Sequence, residues 1–367
     1  MVYVDKYSKE YCDRIEKRVG KQIRKSFDDV IVNGEKAVLD LPEDSVLLYV
    51  ALHKSHMDYV VGGYIFHTTD LIYPRFAAGE NLLKGLTKLV IKYGARIVLP
   101  KCGGISVPRG QDPRMLVEAC DNIKEVMSSG LSFLLFPESK NEKGELDSGR
   151  SYTGKIRNFG SAFFNPAIES NKKTNRPTYV VPMTFSYDFV PEGELFPSYI
   201  TADEWKKSRF LKKPGKIWNR GLEGRTFFND LFNGGGGNIY IDFADPIEVN
   251  SDSNRKELAR ESQERAGKAY RVTHNAVLCQ SLLSEGKNNL LPILDRCEEI
   301  ESTIKGNGGN VLNLGDKFDQ KKYGESLENL MKRNIICYSS CFPITAQFGV
   351  YNKDVAQYYA NTIAHLL

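Results

Sequence analysis

Along residues 5 to 32 the apolar positions Tyr11, Ile15, Val19, Ile23 and Phe27 recur at four-residue steps among charged neighbours. That spacing lays one stripe along a helix, so the chain is expected to open with an amphipathic lead-in helix resting on a larger body. From about residue 40 to 250 the texture changes to short apolar runs, at 46–52, 71–76, 96–99, 131–136, 179–185 and 239–243. Runs of that length separated by helical stretches predict an α/β domain of three layers around a buried sheet. Beyond Ser251 the strand signals stop. Residues 253–283, 290–304, 325–341 and 354–367 read as helices, interrupted by the turn Gly306-Asn307-Gly308-Gly309. The expected organisation is a helical lead-in (1–38), an α/β domain (39–250) and a helical C-terminal region (251–367). No repeat of fixed period occurs, and the glycines 234–237 form a turn ahead of a strand without the surroundings of a nucleotide-binding loop.

Composition narrows the function classes. The 367 residues are 41% hydrophobic and 26% charged, enough for a large core. Fifty basic against 46 acidic side chains leave a formal charge of +4, which excludes a disordered polyelectrolyte and a nucleic-acid-coating protein. No uncharged apolar run approaches the roughly 18 to 20 residues of a membrane-spanning helix, and the first residues are charged throughout, without an apolar signal region. Seven scattered cysteines suit a reducing compartment better than a disulfide framework. These features predict a soluble or peripherally bound intracellular protein.

Chemistry concentrates where the first apolar run ends. His53-Lys54-Ser55-His56-Met57-Asp58-Tyr59 follows it directly, at the strand-to-helix junction where α/β sheets place their functional groups. His53 and Asp58 are five residues apart, about 140° around a continuous helix, so they meet only through a turn. An imidazole held by a carboxylate is fixed in one tautomer and can take a proton from a hydroxyl near neutral pH. The competing reading makes Ser55 and Asp58 a helix capping box, with His53 a loop residue. A metal site on His53, His56 and Asp58 is a third reading, but His67, His274 and His365 lie in no ligand motif, and no metal is expected.

Further segments recur in order: Ala77-Ala78-Gly79-Glu80-Asn81-Leu82, then Gly103-Gly104-Ile105-Ser106-Val107-Pro108-Arg109, then Phe136-Pro137-Glu138-Ser139 with Gly149-Arg150-Ser151, and finally Val181-Pro182-Met183. With the histidine string they resemble the four blocks of the glycerolipid acyltransferase superfamily, whose first block is His-x-x-x-x-Asp. The His-Lys-Ser-His-Met-Asp-Tyr string is most similar to the glycerol-3-phosphate acyltransferase branch and its dihydroxyacetone-phosphate relatives. The resemblance covers about residues 45 to 250, ending on Phe243-Ala244-Asp245-Pro246-Ile247. It implies a three-layer acyltransferase core with a central mixed sheet, with His53 as general base and Asp58 as the carboxylate that orients it. By the same resemblance Arg109 binds the acceptor's phosphate, Glu138, Arg150 and Ser151 belong to the acceptor-holding third block, and Pro182 is the shaping proline of the fourth. Two departures stand out. Ser106 and Pro108 replace a phenylalanine and a first arginine of the second block, and residues 140–148 split the third.

The implied reaction moves a fatty acyl group from acyl-CoA or acyl carrier protein to the sn-1 hydroxyl of glycerol-3-phosphate, without a bound cofactor or a covalent acyl-enzyme. Between residues 84 and 111 the chain carries Lys84, Lys88, Lys92, Arg96, Lys101 and Arg109 and no acidic residue. Three of these lysines step by four along one helix face. The stretch is either a solvated face or a landing surface for an anionic membrane, the phosphates of coenzyme A or an acidic carrier protein; no aromatic-interleaved stripe points to nucleic acid. The resulting expectation is a cytoplasmic enzyme of phospholipid synthesis, held peripherally at the cytoplasmic face of a membrane. Alternatives are acylation of dihydroxyacetone phosphate or lysophosphatidate, a metal hydrolase, and a catalytically degenerate membrane-associated protein.

Overall fold

The computed structural model describes residues 6–55, 57–79, 100–107, 113–138, 151, 153–191, 193, 236–285, 289–339 and 347–367. Its strands in chain order are β1 (Val30–Asn33), β2 (Val46–Ala51), β3 (Arg75–Gly79), β4 (Gly104–Val107), β5 (Phe133–Leu135), β6 (Thr178–Tyr187), β7 (Ile239–Phe243) and β8 (Ile247–Glu248). They form one sheet in the order β1-β7-β6-β2-β5-β3-β4, with β8 also pairing β6. Pairing is parallel from β6 through β4 and between β1 and β7, and antiparallel where β6 meets β7 and β8, so the sheet is mixed as expected.

Strand β2 is buried along its whole length, which is why it reads as an unbroken apolar run. Alternate residues point to opposite faces: Leu47, Tyr49 and Ala51 enter one apolar core, Val46, Leu48, Val50 and Leu52 the other. The first core is shared with the helices α1 (Lys9–Ser26) and α3 (Met57–Thr68), and the second with α4 (Pro113–Ser128) and α5 (Asn165–Thr174); a short α2 (Glu35–Leu39) follows β1. Helix α6 (Arg255–Ala269) joins the second core. The helices α7 (His274–Glu285), α8 (Leu290–Gly306), α9 (Gln320–Lys332) and α10 (Lys353–Asn361) join the first. Three layers result, and the C-terminal helices complete the core of the α/β domain.

Several boundaries differ from the sequence reading. The lead-in helix starts at the Ser8 cap and stops at Ser26, where the β-branched run Val30-Ile31-Val32 takes over as an edge strand beside β7. Residues 30–33 of the expected lead-in are therefore part of the sheet. Gly34 makes the turn that follows: its φ is +78°, and a Cβ there would lie 2.1 Å from the Phe243 carbonyl oxygen. The apolar run at 71–76 becomes a strand only from Arg75, so Ala77-Ala78-Gly79 lies within β3, and Gly104–Val107 forms the edge strand β4. The run at 96–99 lies outside the described residues.

The long helix expected at 253–283 breaks at 270–273. There Arg271 forms a buried ion pair with Asp242 of β7, bonding through Nε at 3.2 Å and through Nη2, while the Val272 N–H donates to the Asn310 carbonyl. The helix expected at 325–341 ends at Lys332. Asn334 turns left-handed (φ 54°), and the core side chains Ile335 and Ile336 lead into β9 (Ile336–Ser339), paired antiparallel with β10 (Gln347–Val350).

His274, at the start of α7, is buried against the Tyr323 ring, and its Nε2 has no hydrogen-bond partner. Burial first, then the nearby Lys322 charge, push its pKa down to about 4, with Asp319 acting in the opposite sense. The folded chain thus refuses a proton that the unfolded chain takes near pH 6.5. Stability from this site is complete above about pH 6.5 and is lost as pH falls towards about 4, by on the order of 3 kcal/mol. Urea unfolding at about pH 7 and about pH 4 should show that the difference shrinks in His274→Gln. An unchanged difference would assign the acid sensitivity to other groups.

Candidate active site

The turn after β2 brings His53 and Asp58 together. His53 Nδ1 lies 2.8 Å from Asp58 Oδ2, with Asp58 fully buried and His53 7% exposed. A carboxylate only accepts, so the imidazole carries its proton on Nδ1 and its lone pair on Nε2. The same Oδ2 accepts the backbone N–H groups of Lys54 (2.7 Å) and Ser55 (3.0 Å), while Ser55 Oγ accepts the Met57 N–H at 3.0 Å. The capping interaction and the histidine contact, alternatives in the sequence, are therefore made by one carboxylate. Its other oxygen, Oδ1, accepts the Tyr187 hydroxyl at 2.5 Å. The His53 ring lies against Phe136, with centroids 4.4 Å apart.

Glu138 follows β5, beside β2, and is 1% exposed. Its Oε2 accepts the His53 backbone N–H at 2.9 Å and its Oε1 the Arg157 backbone N–H at 3.3 Å. Burial raises its pKa, opposed first by the Lys54 charge and then by the His53 N–H and Arg157. The resemblance places Glu138 with the acceptor; in the structure each of its oxygens accepts a backbone N–H, so this carboxylate holds the histidine turn against the segment around Arg157. Ser151 is buried, with Oγ 3.4 Å from Thr153 Oγ1. Pro182 lies within β6 opposite Val50, inside the sheet and short of the turn.

Arg109, Arg150, His56 and the cations Lys84, Lys88, Lys92 and Arg96 lie outside the described residues. Three residues of the site were not singled out from sequence: Tyr187, Lys54 and Arg157. Register explains Tyr187. With Ala51 opposite Met183, β6 runs four residues past the end of β2, and Met183, Phe185 and Tyr187 share the face towards α3. Lys54 is harder to anticipate, because a fully buried lysine is rare.

Among the described residues, no three His, Cys, Asp or Glu side chains gather to hold a metal ion. An apolar cavity of about 180 Å³ lies between α1 and α3, lined by Ile15, Val19, Tyr59, Val60, Tyr73 and Phe76 among others. Among the described residues no helix is long and apolar enough to cross a membrane.

Residues 30–186 match the family model Acyltransferase. The chain is 24% identical over 262 residues to a glycerol-3-phosphate acyltransferase of Pseudoalteromonas atlantica, covering 68% of this chain and 28% of the relative. A glycerol-3-phosphate acyltransferase of Shewanella loihica is 24% identical over 279 residues, covering 72% and 31%. The alignments thus span about three-tenths of the length of these curated relatives. Among solved structures, the 1-acyl-sn-glycerophosphate (LPA) acyltransferase PlsC from Thermotoga maritima is similar at 19% identity and a TM-score of 0.39, over 70% of this chain and 77% of that one.

Proposed function

We propose that this chain, whose residues 30–186 match the family model Acyltransferase, moves a fatty acyl group from acyl-CoA or acyl carrier protein to the sn-1 hydroxyl of glycerol-3-phosphate. The observation that carries this reading is the buried His53–Asp58 pair at the end of a central strand. His53 Nε2 takes the proton of the attacking hydroxyl, and Asp58 stabilises the imidazolium that forms. The alkoxide attacks the thioester carbonyl, the thiolate of the donor leaves, and the proton on His53 returns to it. The names of the similar curated proteins support glycerol-3-phosphate as acceptor, and the apolar cavity beside α3 supports a donor with an alkyl chain. Attachment to an anionic membrane surface through Lys84, Lys88 and Lys92 belongs to the same proposal, at about 1 kcal/mol per basic residue.

The test is an assay of the purified chain with glycerol-3-phosphate and each donor. Absence of product with both donors would reject the proposal, and product from dihydroxyacetone phosphate or lysophosphatidate in preference would reassign the acceptor. Arg109→Ala should raise the KM for glycerol-3-phosphate roughly 10- to 100-fold, the worth of a charge-assisted hydrogen bond, and leave the donor KM unchanged. An unchanged acceptor KM would remove Arg109 from the site.

A further inference from the structure

Strand β6 and helix α3 meet twice along their facing surfaces. Phe185 and Tyr187 lie two residues apart on the β6 face towards α3, and Gly62 and Asp58 lie four apart on the helix. At the first meeting the helix comes close because Gly62 has no side chain: a Cβ there would lie 3.1 Å from Phe185 Cζ. At the second, one helical turn nearer the site, the Tyr187 hydroxyl donates to Asp58 Oδ1 at 2.5 Å. The tyrosine is buried, its ring centre 6.4 Å from that of Phe27 and its backbone paired with Ile239 of β7. Of the donors that the described residues bring to Asp58, two are backbone N–H groups and one is the His53 ring itself. Tyr187 supplies another, from a side chain that a substitution can remove.

We propose that Tyr187 is a positioning residue of the His53–Asp58 pair: its hydroxyl pins the second carboxylate oxygen, holds Asp58 ionised and in plane with the ring, and keeps His53 in its neutral, proton-accepting form near neutral pH. For its effect on transfer the inference rests on the acyl-transfer reading of His53. A carboxylate without exposed surface keeps its charge through the donors it accepts. Oδ2 carries the imidazole and two N–H groups, and the hydroxyl on Oδ1 fixes the other end of the carboxylate plane. A hydrogen bond to a carboxylate is strongest while its charge is uncompensated, and weakens once the adjoining ring becomes an imidazolium. The tyrosine therefore favours the proton-free pair, whose two groups titrate together. Other ionisable groups among the described residues also face the pair. Glu138 after β5 accepts the His53 N–H, with Arg157 behind it, while Lys54 of the turn and Tyr270 after α6 lie within electrostatic reach of Asp58. All four are retained when the Tyr187 hydroxyl alone is removed.

The test compares the full chain with Tyr187→Phe, which keeps the ring and removes the hydroxyl, and with a protein carrying 3-fluorotyrosine at 187, whose more acidic hydroxyl is a stronger donor. The midpoint of the acid limb of kcat/KM for glycerol-3-phosphate should move up by about 0.5 to 1 pH unit in Tyr187→Phe, so that transfer on that limb falls about three- to tenfold. In the fluorotyrosine protein the midpoint should move down. Should Tyr187→Phe not fold, the fluorotyrosine protein decides, since it keeps both the ring and the hydrogen bond. The same midpoint is read without turnover from the NMR titration of ring-labelled histidine, the His53 signal being assigned by its loss in His53→Gln. A midpoint that stays put in a folded variant, or moves the opposite way, overturns the proposal whatever the melting temperature does, because a residue that only packs would alter stability and leave the titration in place. Should the wild type transfer no acyl group while the NMR midpoint moves as expected, the function reading fails and the hold of Tyr187 on the pair stands.

Discussion

His53→Ala should lower turnover with glycerol-3-phosphate by about 10²- to 10⁴-fold, the usual contribution of a positioned general base. The variant should nevertheless fold. Asp58, the group under the ring, keeps the Lys54 and Ser55 N–H groups on Oδ2 and the Tyr187 hydroxyl on Oδ1, so losing the imidazole removes one of its donors. The His53 N–H on Glu138 is a backbone group and survives the substitution. The remaining loss is the contact with Phe136, at a position that is not fully enclosed. Thermal unfolding near that of the wild type, together with absent transfer, is the expected pair of results. Near-normal transfer by a folded His53→Ala protein would remove His53 from the chemistry.

How much of this was legible in the sequence depends on the range of the interaction. The all-buried strand β2 and the polar string after it are local, and they give both the sheet and the dyad. The mixed character of the sheet follows from β6 meeting β7, also a clear apolar run. Edge strands were less legible: Val30-Ile31-Val32 continues an amphipathic stretch in sequence and becomes a strand only because β7 offers it a partner. The break at 270–273 has the same origin, since Arg271 leaves helical geometry for Asp242, distant in sequence. At the site, Glu138 could be found as a conspicuous acid after an apolar run, but its part in holding the His53 turn could not. That role depends on two backbone N–H groups, which no side-chain pattern reports.

Asp58→Asn separates the two roles of the central carboxylate. Among the described residues four donors converge on Asp58: His53 Nδ1, the Lys54 and Ser55 N–H groups and the Tyr187 hydroxyl. In Asp58→Ala all four are stranded in a buried site, at about 1 to 3 kcal/mol for each that stays unsatisfied, so a large loss of stability is expected. Asparagine retains most of the network. Its amide oxygen can take the place of Oδ2, and its NH2 can face Tyr187, whose hydroxyl turns to accept instead of donate. What asparagine cannot supply is the negative charge that, in the proposed mechanism, stabilises the imidazolium as His53 takes the proton. Turnover should therefore fall by about 10²- to 10⁴-fold while the melting temperature stays well above that of Asp58→Ala. Wild-type turnover in Asp58→Asn would reduce Asp58 to a helix cap. A melting temperature as low as that of the alanine variant would show that the charge, and not the pattern of acceptors, holds the turn together.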